Sequence, residues 1–273
     1  VRRYLQKQTP LIGFSHMNKS AVAQSFSAAA EHYDSVAHLQ RQVADELMKR
    51  VTRLPMVSAQ KAVDLGTGTG YLLPALDHRF NPRELFGLDL SNAMLHQAKH
   101  RHRKVITVQA DLEQPPFQSS SIDLAVSSLA VQWLECPMKF VEHAFSMLTP
   151  GGYLALATVG PKTLSELKTA WQSVDEVAHV NQFNSAQQWR DAISDTGFVV
   201  EHWQESFIEV LYDHPLTLLN ELKILGANHV DRNEQPKVSS VRKMLRAYQP
   251  FRRQNSQYPA TWEIFYIILK KPN

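Results

Sequence analysis

Three acids in this 273-residue chain pose the first chemical question: Asp64, Asp89 and Asp111 stand in "VDLG", "GLDLS" and "QADLEQPPF", each behind a short apolar or alternating run. Directly after the first comes "GTGTG", with Gly66, Gly68 and Gly70 at every second position. A glycine run that passes from a strand into a helix brings backbone close to a ligand and aims free N–H groups at it. The dinucleotide spacing G-x-G-x-x-G is not met, and an acid two residues ahead of Gly66 is poorly suited to a pyrophosphate. Asp64 suits instead a ligand with an ammonium or sulfonium centre. Asp89, at the end of the next apolar run, is placed to accept hydrogen bonds from both hydroxyls of a ribose, and Asp111 comes within reach of an adenine amino group. A loop aspartate commonly caps a helix. Three of them at the ends of three successive strands mark the crevice in which open α/β sheets bind ligands.

Elements of the right kind surround these residues. From Lys19 to about Arg53, Val22, Phe26, Ala29, Ala30, Tyr33 and Ala37, then Leu39, Val43, Leu47 and Val51, recur at helical spacing. The period then changes: 61–66, 84–91, 105–112, 122–131 and 152–159 read as strands, most of them separated by helix-compatible segments. That alternation predicts a parallel sheet with helices on both faces. After Gly160 the rhythm lapses into helices over 162–196, a strand at 207–213, helical stretches at 215–228 and 237–248, and a closing strand at 261–271. The pattern is a nucleotide-type core with an insertion in its C-terminal third, without internal repeats.

Composition narrows the classes. With 44% hydrophobic and 20% charged residues the chain can bury a real core and does not read as disordered. Its single cysteine, Cys136, excludes an intramolecular disulfide, and no Cys/His spacing predicts a metal site. The longest apolar run, "IFYIIL", is too short to span a bilayer, and the first residues lack a signal-type apolar stretch. A cytoplasmic protein is expected, with residues 1–16 as a poorly ordered arm. The net charge of +3 is concentrated in "KHRHRK" (99–104), "VRKMLR" (241–246) and "FRRQ" (251–254). These clusters lack interleaved aromatics, so an acidic protein partner is favoured over nucleic acid.

As a set, "VDLGTGTG", "LDLS", "ADLEQPPF", "IDLAVSSLAVQWL" and "LTPGGYLALAT" resemble the class I S-adenosylmethionine-dependent methyltransferases. The resemblance implies a Rossmann-like, seven-stranded, mainly parallel sheet with helices on both faces. In that frame residues 17–273 form one domain: a helical lid (17–55), a cofactor-binding core (60–160), and a substrate-covering insertion with the closing strands (161–273). Asp64, Gly66, Gly68 and Gly70 would hold the methionine part, Asp89 the ribose, Asp111 and Leu112 the adenine, and Ser127 or Ser128 the methionine amine, with Leu90 also at the cofactor. Outside the core, residues 18–47, "SSLAVQW" (127–133) and "LKILGANHV" (222–230) followed by Arg232 are similar to the malonyl-acyl-carrier-protein O-methyltransferases of biotin synthesis. This implies methyl esterification of the free carboxylate of malonyl-acyl carrier protein, or of malonyl-coenzyme A, without a general base. By that resemblance Tyr33 and Lys19 belong to the active-site cover, while Lys223 and Arg232 are candidates to capture the carboxylate. Alternatives remain in a methyltransferase acting on a free small acid or a quinone precursor, which would favour an apolar tunnel with a positioned base, for which His32, His38 and His179 are the candidates, and in a non-catalytic S-adenosylmethionine-binding protein.

Overall fold

The computed structural model describes residues 18–226 and 238–273. Three helices come first, α1 (Lys19–Ala29), α2 (Tyr33–Val36) and α3 (His38–Val51). The core then alternates β1 (Lys61–Leu65), α4 (Leu73–Phe80), β2 (Glu84–Asp89), α5 (Asn92–Arg101), β3 (Ile106–Gln109), β4 (Ile122–Ser128), α6 (Pro137–Met147) and β5 (Leu148–Val159). Helices α7 (Ser165–Gln172) and α8 (Ala186–Ser194), strand β6 (Val199–Tyr212), helices α9 (Pro215–Ile224) and α10 (Val238–Tyr248), and strand β7 (Tyr258–Lys270) complete the order. The seven described strands form one sheet, β3-β2-β1-β4-β5-β7-β6. The first five run parallel, and β7 is antiparallel to both β5 and β6.

The sequence explains why the centre of this sheet is covered on both sides. In β1 the last four residues are all buried, Asp64 among them, and β4 and β5 carry similar unbroken buried runs. Strands apolar on both faces need two layers of cover. One layer is built on α3, α4 and α7 through Val43, Leu47, Leu73, Leu76 and Trp171; the other is built on α6 and α8 through Phe140, Val141, Ala144, Trp189 and Ile193. Parallel strands leave their C-terminal ends along one edge of the sheet, so Asp64 and Asp89 emerge side by side where β1 and β2 stop.

Two expectations change at the C-terminal third. Strand β6 begins at Val199, eight residues before the run at 207–213, and Val199, Val200, Phe207 and Leu211 are exposed. It lies at the sheet edge, and its first residues have no buried face to impose an alternating pattern. Helix α9 stops at Ile224 rather than 228, followed by Gly226 at φ +70°, where an added Cβ would meet the Ser25 carbonyl oxygen at 2.9 Å. The proposed arm at 1–16 lies outside the described residues.

Candidate cofactor and acceptor cavities

The glycine loop after β1 divides its tasks. At Gly66, φ is +75° and a Cβ would come within 2.2 Å of the Ala130 Cβ, so only glycine lets this loop approach the segment behind β4. Gly68 opens on empty space and donates its N–H to Asp89 Oδ2 at 2.9 Å. Gly70 packs against Ala98 of α5 and stands back from the cavity in front of the loop. Asp89 Oδ1 accepts a second backbone bond, from Ser91 N at 2.8 Å. Two backbone donors therefore fix this carboxylate and leave each oxygen a further lone pair for a ligand hydroxyl. Burial pushes its pKa up, and the backbone N–H groups partly offset that rise. Asp64 is buried more deeply in polar terms, since its described partner is Thr67 Oγ1 at 2.8 Å, and burial pushes its carboxyl up to about 7.

A cavity opens over these strand ends, bordered by Asp64, Gly66, Gly68, Asp89, Leu90, Asp111 and Leu112 together with residues of α1–α3. The structure separates the two serines. Ser127 Oγ donates to the Leu65 carbonyl at 2.7 Å and does not border the cavity, whereas Ser128 borders it with a buried Oγ that has no partner. Asp111 is held by Lys19 Nζ at 2.7 Å and by the Glu113 N–H at 2.9 Å. Lys19 also pairs with the buried Glu113, at 2.5 Å. Burial pulls the Lys19 pKa down, but the two carboxylates outweigh it and hold the ammonium above its ordinary value. Lys19 thus clamps α1 to the loop after β3 rather than standing as a free cation.

Further ties hold the first helices over the sheet edge. Ser27 Oγ meets Ser91 Oγ at 2.8 Å, and Asp34 takes the Thr69 hydroxyl at 2.8 Å and an ion pair from Arg101. Arg41, which also borders the cavity, donates to the Asp34 carbonyl at 2.7 Å.

A second cavity adjoins the first, and Phe26, Tyr33, Gln40, Leu129 and Trp133 border both. At this junction the Phe26 ring lies 6.4 Å from Tyr33 and 5.6 Å, edge to face, from Trp133. Burial, with Asp89 and Asp34 nearby, pushes the Tyr33 pKa up, so its hydroxyl stays a neutral donor. The farther walls are mostly apolar, from Leu164, Leu167, Phe183, Leu219, Leu222 and Trp262. His179 also borders this cavity, stacked on Trp171 at 3.6 Å with Nε2 2.8 Å from Asp175. Among the described residues no lysine or arginine borders it. Lys223 is exposed on α9 and away from these walls, and Arg232 lies outside the described residues.

Residues 63–156 match the family model described as a methyltransferase domain. A malonyl-[acyl-carrier protein] O-methyltransferase from Hahella chejuensis is 35% identical over 252 residues, covering 91% of this chain and 89% of the relative. The chain belongs to the malonyl-[acyl-carrier protein] O-methyltransferase family. The biotin biosynthesis bifunctional protein BioHC of Teredinibacter turnerae is 33% identical over the whole chain, which spans about half the length (50%) of that relative. An S-adenosylmethionine-dependent methyltransferase from Mesorhizobium loti shares the fold at 20% identity and a TM-score of 0.52, over 83% of this chain and 97% of that one.

Several residues at these cavities escape the motif reading. Phe26 lies on the helical face it shares with Tyr33, a signal equally consistent with core packing. Gln40, Arg41 and Trp262 belong to no spacing pattern, and only the folded chain brings them to the same edge of the sheet. Ser128 and Ser127 cannot be separated by sequence, because adjacent residues of a strand point to opposite faces.

Proposed function

We propose that the chain transfers the methyl group of S-adenosylmethionine to the free carboxylate of malonyl-acyl carrier protein, the methyl ester serving pimeloyl formation in biotin synthesis. The observation that carries this reading is the pair of adjoining cavities, one edged by the three strand-end acids and the other apolar, which meet at Phe26, Tyr33 and Trp133. Names borne by relatives over nearly the full chain point to the same acceptor.

In this account the first cavity takes the cofactor. Asp89 accepts the ribose hydroxyls, Leu90 and Leu112 flank the base, and Asp64 and Ser128 face the methionine part, with Arg41 a cation for its carboxylate. The aromatic junction receives the sulfonium methyl, which an electron-rich ring face attracts. The bound cofactor supplies an electrophilic methyl group. The acceptor carboxylate, ionised at neutral pH, uses an oxygen lone pair to form the new C–O bond as the C–S bond breaks. No proton moves, so no general base is needed. What the chain contributes is placement and the exclusion of water, with α1 and α2 as the cover and α7, α9 and β7 enclosing the acceptor. Of the basic clusters, the one at 99–104 is largely engaged, by Asp34, Asp77 and the Val105 carbonyl. In the one at 251–254, Arg253 pairs with Glu209 and Arg252 donates to the Ser256 carbonyl, which leaves α10, with exposed Arg242, Lys243 and Arg246, as the face for an acidic carrier.

A second reading draws on His179 and Asp175. An apolar cavity with an oriented histidine is also what methylation of a quinone precursor requires. Methyl label from S-adenosylmethionine separates the two: malonyl-acyl carrier protein should gain base-labile label, and acetyl-acyl carrier protein, which lacks the carboxylate, should gain none. Equal label on both, or none on either, would reject the carboxylate acceptor.

A further inference from the structure

Helices α1 and α2 cross the ends of three neighbouring strands, and a side chain ties them down at each crossing. Lys19 pairs with Asp111 and Glu113 in the loop after β3. Ser27 Oγ meets Ser91 Oγ at 2.8 Å in the turn after β2, and Asp34 Oδ1 takes the Thr69 hydroxyl at 2.8 Å in the loop after β1. Strands β3, β2 and β1 are successive neighbours in the sheet, so the ties follow one another along the edge over which the first cavity opens. The two helices thus form a strap over that cavity, and Lys19, Val22 and Phe26, which share one face of α1, border it. Phe26 and Tyr33 of the same strap also border the second cavity. Helix α9 supplies Leu219 and Leu222 to the second cavity, and just behind it Gly226 packs on the Ser25 backbone of the strap too closely for a side chain.

Several groups in these ties stand outside both cavities. Ser27, Ser91, Arg101 and Glu113 border neither, so they do not reach a ligand held there. Arg101 pairs with the Asp34 carboxylate. Glu113 accepts the Cys136 N–H on Oε1 at 2.8 Å and so presents Oε2 to Lys19. We infer that Ser27, Arg101 and Glu113 are positioning residues of the methyl transfer, which hold the strap shut and thereby set Phe26 and Tyr33 at the junction of the two cavities. The inference rests on the function proposed above and deepens it by fixing the order of events. A strap that lifts to exchange the cofactor carries two side chains away from the acceptor wall. The cofactor therefore binds before the acceptor, and S-adenosylhomocysteine leaves after the methyl ester. The ties at Ser27 and Asp34 are hydrogen bonds and a partly exposed ion pair, each worth roughly a factor of three in the balance between shut and open. Ties of that size hold the strap and still let it open in every turnover.

The test follows release of S-adenosylhomocysteine from the protein without acceptor, and methyl transfer from S-adenosylmethionine to malonyl-acyl carrier protein. Ser27→Ala and Arg101→Met should each speed release roughly threefold, and together roughly tenfold. Both should raise the KM for the acceptor more than they change kcat, and Arg101→Lys, which keeps a cation opposite Asp34, should recover most of the loss. In the unaltered protein, malonyl-acyl carrier protein at about ten times its Kd should slow release roughly tenfold, because it binds only under a shut strap.

A structural role alone would lower the melting temperature of the variants and leave release and KM unchanged, and that result would overturn the inference. Faster release with an unchanged acceptor KM would overturn it too, because the strap would then serve one cavity only. So would release that a methylated acceptor, at saturation, does not slow. The release rates of the variants need no acceptor. If malonyl-acyl carrier protein is not methylated, the acceptor reading falls and those rates alone judge the strap, faster release supporting it and unchanged release overturning it.

Discussion

Asp89→Ala should weaken S-adenosylmethionine binding by two orders of magnitude or more while the protein stays folded. The size follows from what the carboxylate does at once. It accepts the Gly68 and Ser91 N–H groups and so sets the shape of the glycine loop, and in the proposed function each oxygen uses its remaining lone pair on a ribose hydroxyl. A hydrogen bond to a charged group contributes about 1.5–3 kcal/mol, and two are lost from the ligand. Stability should change much less, because the variant also removes a buried carboxylate that is held at a raised pKa. Titration calorimetry reads the affinity and thermal denaturation the fold. Unchanged affinity would remove Asp89 from the cofactor site.

Asp64→Asn should separate stability from binding. In the free protein burial raises the Asp64 carboxyl to about 7, against an ordinary value of 3.8. Between those values the folded state binds a proton that the unfolded chain has released, so stability is fully present at low pH and is lost as pH rises through about 7. At about pH 8 the buried charge costs on the order of 4 kcal/mol. Asparagine escapes that cost and can still accept from Thr67, so the variant should be more stable than wild type at about pH 8 and alike at about pH 4. Cofactor affinity should move the other way. A ligand with sulfonium and ammonium groups binds the ionised carboxylate best, so wild-type affinity should rise from about pH 6 to 8 with proton release. The variant should bind at least tenfold more weakly, without that pH dependence. Equal stability of the two proteins across this range would show that the Asp64 charge is not buried.

The strand ends were the legible part of this molecule. Spacing alone predicts β1 to β5, and an acid at the end of each of three apolar runs marks the ligand edge, because a sheet buried on both faces writes its period into consecutive residues. Strand β6 shows the converse: it lies at the edge with little burial, so its first half leaves no periodic trace. The acceptor cavity is harder still. Its walls come from α1, α2, α3, α7, α9, β7 and the segment behind β4, and Gln40, Gln132 and Trp262 among them are residue types with no local signature of function. The expectation of a cationic acceptor pocket came from charge on the sequence. In the fold Lys19 is spent on Asp111 and Glu113, and Lys223 faces outward, while Arg232 lies outside the described residues.

In the proposed function, transfer takes place where the two cavities meet. The most direct measurement is a crystal structure with S-adenosylhomocysteine and malonyl-coenzyme A bound together. It should have the nucleoside on Asp89, the malonyl carboxylate among Phe26, Tyr33, Gln40 and Trp133 facing the cofactor sulfur, and the thiol arm along Trp262. A malonyl group bound elsewhere, with the junction filled by solvent or closed by side chains, would contradict it.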